Sequence, residues 1–366
     1  MLLEKEVYFE RLKNFSEDQF LSGNNFAKKA NLVYAEAVSY DDFNKLKKDN
    51  INYSKIEENI YIYSKKNFSL KENDIVFCKT DNILELFSKL NSIKKLKNLK
   101  LITHQGAIPS IDEKLYSLKP DCISEWYSVN IKVNKANLHA LPLGLGNKFS
   151  DVSLNSKDFK KFYNSYENKI QENKIYSNFR INTNPIREQY LKHLKENKNF
   201  VHEESKLNKY AYLKKISNYK YVFSPRGLGI DTHRFWEILY AGSIPVAKNE
   251  LTYKSFTKYY QEFTSITSIN MDVFKIINFN DSLIDILNID YWIEKINKNR
   301  LDSSLTETID ENDNFFLKEE IKLKKKYVRY KIIKSDLSFR KKINFYIRSI
   351  RNFEENLFKR FWHVDY

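Results

Sequence analysis

Apolar residues recur along the chain in short β-like runs that alternate with stretches of helical spacing. Asn59-Ile-Tyr-Ile-Tyr63 and Asp74-Ile-Val-Phe-Cys78 are β-branched or aromatic runs suited to buried strands. Between Ile83 and Leu96, Ile83, Leu84, Leu86, Phe87 and Leu90 mark one helical face. Strands are expected next at Leu99–Thr103, around Cys122-Ile123 and at Leu138–Pro142. Order is lost from Asp151 to Lys174, where Lys, Asn, Ser and Tyr dominate, and this stretch reads as a connector. A second series follows: strand Lys174–Phe179, helix Ile186–Glu196, strand Phe200-Val201, helix Leu207–Tyr219 and strand Tyr221–Ser224. A helix over Asp231–Ala241 and a strand over Ser243–Ala247 close it. Strand, helix, strand in this rhythm predicts an α/β chain of two Rossmann-like domains facing a cleft, with ligands beyond the carboxyl ends of the strands. The expected divisions are 1–150, a connector at 151–173, a second domain at 174–310 and a helical tail at 311–366.

Length and composition sharpen this. The chain has 366 residues, 42% apolar and 15% aromatic, enough for two packed cores. Two cysteines, Cys78 and Cys122, exclude a disulfide framework and a four-thiolate metal site. No apolar run is long enough to span a bilayer, and the acidic start Met1-Leu-Leu-Glu-Lys-Glu does not read as a signal peptide. A soluble, cytoplasmic protein is therefore expected. The formal charge of +15 suits an anionic partner. Residues 318–366 hold 15 Lys and Arg against 6 Asp and Glu, so more than half of the excess lies in the tail.

The richest stretch is Ser224-Pro-Arg-Gly-Leu-Gly-Ile-Asp-Thr-His-Arg-Phe-Trp-Glu237, followed by Gly242-Ser-Ile-Pro-Val246. A strand ends at Ser224, and Pro225 stops its ladder. Gly227 and Gly229 allow a sharp turn or a close ligand approach, and the chain has only seven glycines. Asp231 or Thr232 caps a helix whose first amides form an anion site. His233 stands in that turn. Arg226 before the tip and Arg234 inside it can fork onto one anion. Glu237, on the same face as Arg234, is placed to accept sugar hydroxyls. Diphosphate at the tip and ribose at the acid is how nucleotide-sugar enzymes hold a donor. The plainer reading is a Gly-rich turn with an ordinary Arg234–Glu237 helix pair, worth about 0.3–0.5 kcal/mol.

This stretch resembles the signature of exostosin-like glycosyltransferases, family 47 and the related ribitol xylosyltransferase group. Weaker echoes are Asn178-Phe, Asn182-Thr-Asn-Pro-Ile-Arg187, Ile102-Thr-His-Gln, Glu125-Trp-Tyr-Ser-Val-Asn130 and Leu141-Pro-Leu-Gly-Leu-Gly-Asn147. The resemblance covers roughly residues 70–270. It implies a GT-B-like enzyme moving a sugar from a nucleotide-diphosphate sugar to a glycan or lipid-linked acceptor in surface polysaccharide assembly. It further implies inversion and no bound metal or cofactor, with which the lack of an Asp-x-Asp at a strand end agrees. Asn130, Asn178 and Arg187 are added as cleft residues. The family often carries an Asp close after its Thr-His-Asn turn, where this chain has Ala107. Inverting transfer needs a base, and His104, Asp112 and Glu125 are the candidates.

From Phe339, apolar residues at three- and four-residue steps with interspersed Lys and Arg predict a basic amphipathic helix over 338–361. It fits the anionic inner face of a membrane, or it packs back on the domains. A basic nucleic-acid-binding protein is the rival that the charge and the interleaved Tyr, Phe and Lys permit, but no helix-turn-helix, zinc or RNP pattern appears, so a nucleic-acid partner is not expected. A non-catalytic glycan-binding descendant is the alternative that Ala107 raises.

Overall fold

The computed structural model describes residues 5–333, except 107–109, 151–152, 167–170, 196–197, 205, 249, 255, 257–280 and 311–312. Ala107 and the tail helix expected over 338–361 lie outside the described residues. In chain order the strands are β1 Leu32–Ser39, β2 Ile51–Glu57, β3 Ile60–Lys65, β4 Phe68–Lys71, β5 Ile75–Lys79, β6 Leu99–His104 and β7 Ile123–Ser128. They continue with β8 Leu138–Ala140, β9 Glu172–Ser177, β10 Phe200–His202, β11 Tyr219–Phe223, β12 Ile244–Val246 and β13 Thr306–Ile309.

Two sheets carry the fold. The first has seven strands in the order β2-β3-β1-β5-β6-β7-β8. From β1 to β8 it is parallel, and β3 and β2 add an antiparallel edge. All five residues of β5 and all six of β6 are buried, which is why these strands read as continuous apolar runs rather than alternating ones. Helix Ile83–Leu90 is buried throughout and follows β5. The second sheet is wholly parallel, in the order β10-β9-β11-β12. Helix Ile186–Lys195 joins β9 to β10, helix Lys209–Ser217 returns to β11, and helix His233–Tyr240 leads on to β12. The connections leaving β9 and β11, which are neighbours, therefore run in opposite directions. That opens a crevice beyond their carboxyl ends.

Every strand expected from the pattern is present. The stretch 151–173, expected to be a connector, contains helix Ser156–Ser165 and the start of β9. Asn155 begins that helix with a capping box, accepting from the Lys157 and Asp158 amides, and Phe159, Phe162 and Tyr163 are buried beneath it. Its polar composition masked three aromatic residues spaced along one helical face.

The chain passes between the two sheets more than once. Helix Lys5–Lys13 lies with the second: the Tyr8 hydroxyl donates to the Leu239 carbonyl at 2.9 Å, and Lys5 reaches the Ser217 carbonyl at 3.0 Å. Strand β13 comes back to pair with β4, and helix Asp313–Ile333 packs on helix Ile83–Leu90. One continuous apolar cluster, from Tyr8 through Trp126 and Trp236 to Trp292, runs through both sheets.

Gly144 lies where the halves meet. Its φ is +67°, and a Cβ there would stand 2.3 Å from the Leu21 carbonyl oxygen, itself bonded to the Leu145 amide at 2.8 Å. Gly144→Ala is expected to cost about 3 kcal/mol or more, from strain plus overpacking. Urea unfolding measures it, against a matched alanine on an exposed loop.

Candidate functional site

Beyond the carboxyl ends of β9, β10 and β11 lies a cavity of about 1280 Å³. The turn after β9 contributes Asn178, Phe179, Arg180 and Ile181, and β10 ends in His202, Glu203 and Glu204. Helix Lys209–Ser217 brings Lys209 and Tyr212, and helix His233–Tyr240 brings His233, Arg234 and Glu237. The cavity thus lies in the crevice between the oppositely directed connections.

The helix His233–Tyr240 is amphipathic by necessity: Phe235, Trp236, Ile238 and Leu239 are buried. Thr232 holds its N-cap position in extended conformation, but its side chain makes no capping bond; its Oγ1 faces Ser224 Oγ at 3.1 Å. The helix tip therefore presents its first amides without a side-chain acceptor, and the peptide dipole adds about half a positive charge there. Arg234 stacks over the Tyr212 ring at 5.1 Å, and its Nη1 is buried with no hydrogen-bond partner among the described residues. The Nε of Arg226 is in the same condition; that side chain faces Glu250, with Nη1 at 3.7 Å from Oε1. Glu237 is buried, Oε1 accepting from the Leu154 amide at 3.1 Å and Oε2 from the Tyr212 hydroxyl at 3.3 Å.

The turn before the helix is held from two sides. Arg187 is buried and braces it with three donations: Nε to the Arg226 carbonyl at 2.7 Å, Nη2 to Pro225 at 2.9 Å and Nη1 to Arg180 at 2.9 Å. Burial first, and Arg234 second, lower its pKa to about 10, which leaves it charged at neutral pH. Asn184 fixes the Gly227 carbonyl at 2.8 Å. Asn130, at φ 59° on the end of β7, accepts the Ile230 and Asp231 amides at 2.7 and 2.8 Å. A Cβ on Gly229 would stand 2.9 Å from that Asn130 side chain, so only glycine lets the turn come so close. Asp231 is buried, accepting from the Leu143 amide at 2.8 Å, the Thr232 amide at 2.8 Å and the Trp236 indole at 2.9 Å. Burial pushes its pKa up to about 7 against these donors. His233 Nδ1 meets the Gly144 carbonyl at 2.8 Å.

Of the residues singled out, Asn178, His233, Arg234 and Glu237 line the cavity. Ser224, Gly227, Gly229, Asp231, Thr232, Asn130 and Arg187 shape the turn beneath it. The proposed bases are scattered. His104 is buried at the end of β6, with Nε2 3.1 Å from the Pro142 carbonyl and Nδ1 2.7 Å from the Gln105 amide. Backbone groups thus engage both ring nitrogens. Asp112 caps helix Glu113–Tyr116, accepting the Leu115 amide at 2.9 Å. Glu125 pairs with His139 and lies level with Lys100, at the opposite end of β6 from His104.

Sequence reasoning missed Tyr212, Arg180, Lys206 and Lys209. The available signal was Asn208, which caps helix Lys209–Ser217 by accepting the Ala211 amide at 2.8 Å and so turns its first face to the cavity. Arg180 and Lys206 are exposed on the cavity lining with no ion pair among the described residues. No group of three or more His, Cys, Asp or Glu side chains fit to hold a metal occurs among the described residues. Nor is any described helix long and apolar enough to cross a membrane.

No protein-family model matches the chain, and no curated protein matches it. A solved structure, an α1,3-fucosyltransferase with GDP-fucose, aligns with a TM-score of 0.30 at 14% identity, over 72% of this chain and 79% of that one. This similarity is too slight to carry residues from one chain to the other.

Desolvation lowers the His104 pKa to about 3, below its ordinary 6.5. A depressed histidine contributes stability above pH 6.5 and loses it as pH falls toward 3, on the order of 1.4 kcal/mol per unit. Between pH 6.5 and 4, the acid loss of stability in urea titrations is expected to be shallower in His104→Asn than in the parent protein.

Proposed function

We propose that the chain is a glycosyltransferase that takes its sugar from a nucleotide-diphosphate donor held at the helix His233–Tyr240. One observation carries this reading: Arg234 Nη1, on a residue of the cavity lining, is buried with no hydrogen-bond partner among the described residues, in the first turn of a helix whose cap residue makes no side-chain capping bond. Buried donors ordinarily find acceptors, and a diphosphate supplies several in one place. Arg234 meets the phosphates, while Glu237, fixed by the Leu154 amide and Tyr212, keeps second lone pairs for ribose hydroxyls. Arg180 and Lys206, which have no ion pair among the described residues, add positive charge to the cavity lining.

On departure the nucleoside diphosphate gains negative charge. Arg234, the helix dipole and the neighbouring cations stabilise that charge without reorganisation. No step in this scheme requires a bound metal or cofactor. The likeness of Ser224–Glu237 to the exostosin-like signature supports the same reading, as do the two α/β sheets, one wholly parallel and one parallel from β1 to β8. Inversion, a glycan or lipid-linked acceptor in surface polysaccharide assembly, and docking of the 338–361 tail to an anionic membrane belong to the proposal. Non-catalytic glycan binding predicts instead that sugars shift the melting temperature and nucleotides do not.

The test is thermal unfolding with UDP, GDP, CDP and CMP and their sugars. At least one diphosphate should raise the melting temperature, since a ligand at 100 Kd stabilises by about 2.7 kcal/mol. Arg234→Ala and Glu237→Gln should each weaken binding of that nucleotide about tenfold or more while leaving the unliganded melting temperature near the parent's. No shift with any nucleotide refutes the proposal.

A further inference from the structure

We propose that Glu36 is the catalytic base that accepts the proton of the acceptor hydroxyl, a role that rests on the glycosyl transfer proposed above. Glu36 lies on β1 opposite Tyr63, one residue beyond the Ala35–Cys78 pair. Since Cys78 pairs with Thr103 and Lys79 with His104, Glu36 is level with the last row of the first sheet, at its carboxyl edge. In a parallel sheet that is the edge where ligands are met.

Its carboxylate is held but not saturated. The Asn24 amide donates to Oε1 at 2.7 Å and the Tyr63 hydroxyl to Oε2 at 3.4 Å, which leaves lone pairs on both oxygens. Beside it, Gln105 at φ 57° accepts the Ala37 amide at 2.7 Å, so the strand end is pinned. Packed residues connect Asn24 to the wall of the donor cavity: its backbone amide donates to Asn147 Oδ1 at 3.0 Å, and a Cβ on the adjoining Gly146 would stand 2.6 Å from the Cβ of Ser153, which lines that cavity.

The other acids near that edge are committed. Asp81 is paired with Lys79, Asp112 caps a helix, and Asp231 accepts from two backbone amides and an indole. Glu36 is 9% exposed. Burial raises its pKa to about 7, with Asp42 adding to the rise and Asn24, Tyr63 and Gln105 opposing it. A carboxylate tuned near the working pH is the stronger base for a hydroxyl.

In the step, the acceptor oxygen bonds to the anomeric carbon as its proton passes to Glu36. The bond from that carbon to the diphosphate oxygen breaks, and the nucleoside diphosphate leaves with the electron pair toward Arg234. A base on the first sheet and a leaving group on the second place attack and departure on opposite sides of the sugar, as inversion requires.

The experiment takes the nucleotide sugar from the UDP, GDP and CMP panel that the parent protein turns over, with water or an oligosaccharide as acceptor. Glu36→Gln is expected to lower kcat by about 100-fold or more, with the KM for the donor and the nucleotide-induced melting shift unchanged. Added formate should restore turnover in Glu36→Ala, where it can occupy the vacated space, but not in Glu36→Gln. Retention of kcat within about threefold in Glu36→Gln overturns the proposal. So does a lost kcat that formate leaves unrestored in a Glu36→Ala protein that still binds nucleotide, since the role is then structural. Failure of the parent to bind any nucleotide overturns the glycosyltransferase reading itself, so the two failures are told apart.

Discussion

Buried backbone amides must be bonded, and in this protein that requirement ties the two sheets together. The turn Pro225–Thr232 sends its Ile230 and Asp231 amides to a partner outside it. Both are taken by Asn130 at the end of a first-sheet strand, and the Asp231 carboxylate takes the Leu143 amide in return. These exchanges cross from one sheet to the other in both directions. Each leaves a buried group unsatisfied if its partner withdraws, at a cost of about 1–3 kcal/mol apiece. The helix that follows the turn is thereby aimed, and with it Arg234 and Glu237.

The site separates holding from contacting. Arg187, whose three donations all go to carbonyls of the turns around the helix tip, spends its guanidinium on backbone. Arg234 lies over an aromatic ring and keeps a donor in reserve. Two arginines of the same neighbourhood thus do different work, and their chemistry alone does not tell which is which. The difference comes from which carbonyls lie within reach of a planar fork.

Much of the architecture was legible because parallel strands buried on both faces write themselves as apolar runs, and β5, β6 and β11 do so. Strand β1 was missed even though Leu32–Val38 is nearly all buried, because Glu36 interrupts it and no Gly or Pro frames it. Helix Ser156–Ser165 was missed because lysines and asparagines hid its aromatic face. The loop Ser224–Thr232 and the helix after it were legible through the glycines and the dense mixture of charged and aromatic residues. Tyr212 and Arg180 were not. They reach the cavity only through the sheet order β10-β9-β11-β12, and strand order is a property of three dimensions that no local pattern records. Glu125 shows the converse error: a charged residue near a suggestive motif, placed by register at the far end of its strand.

The crossing of the chain between its sheets bears on how the molecule is made. Helix Lys5–Lys13 emerges before either sheet, yet its Tyr8 bonds to Leu239 and its Phe9 packs against Phe162 and Tyr166. Strand β4 waits for β13, more than two hundred residues downstream. Neither sheet can therefore bury its apolar faces fully as the chain leaves the ribosome, and the usual order of one finished domain after another is closed to it. Loops of that length must close before their contacts reward them, which makes folding slow and leaves aromatic surface uncovered meanwhile. The same stitching means that the two halves, once assembled, come apart only by unravelling both ends.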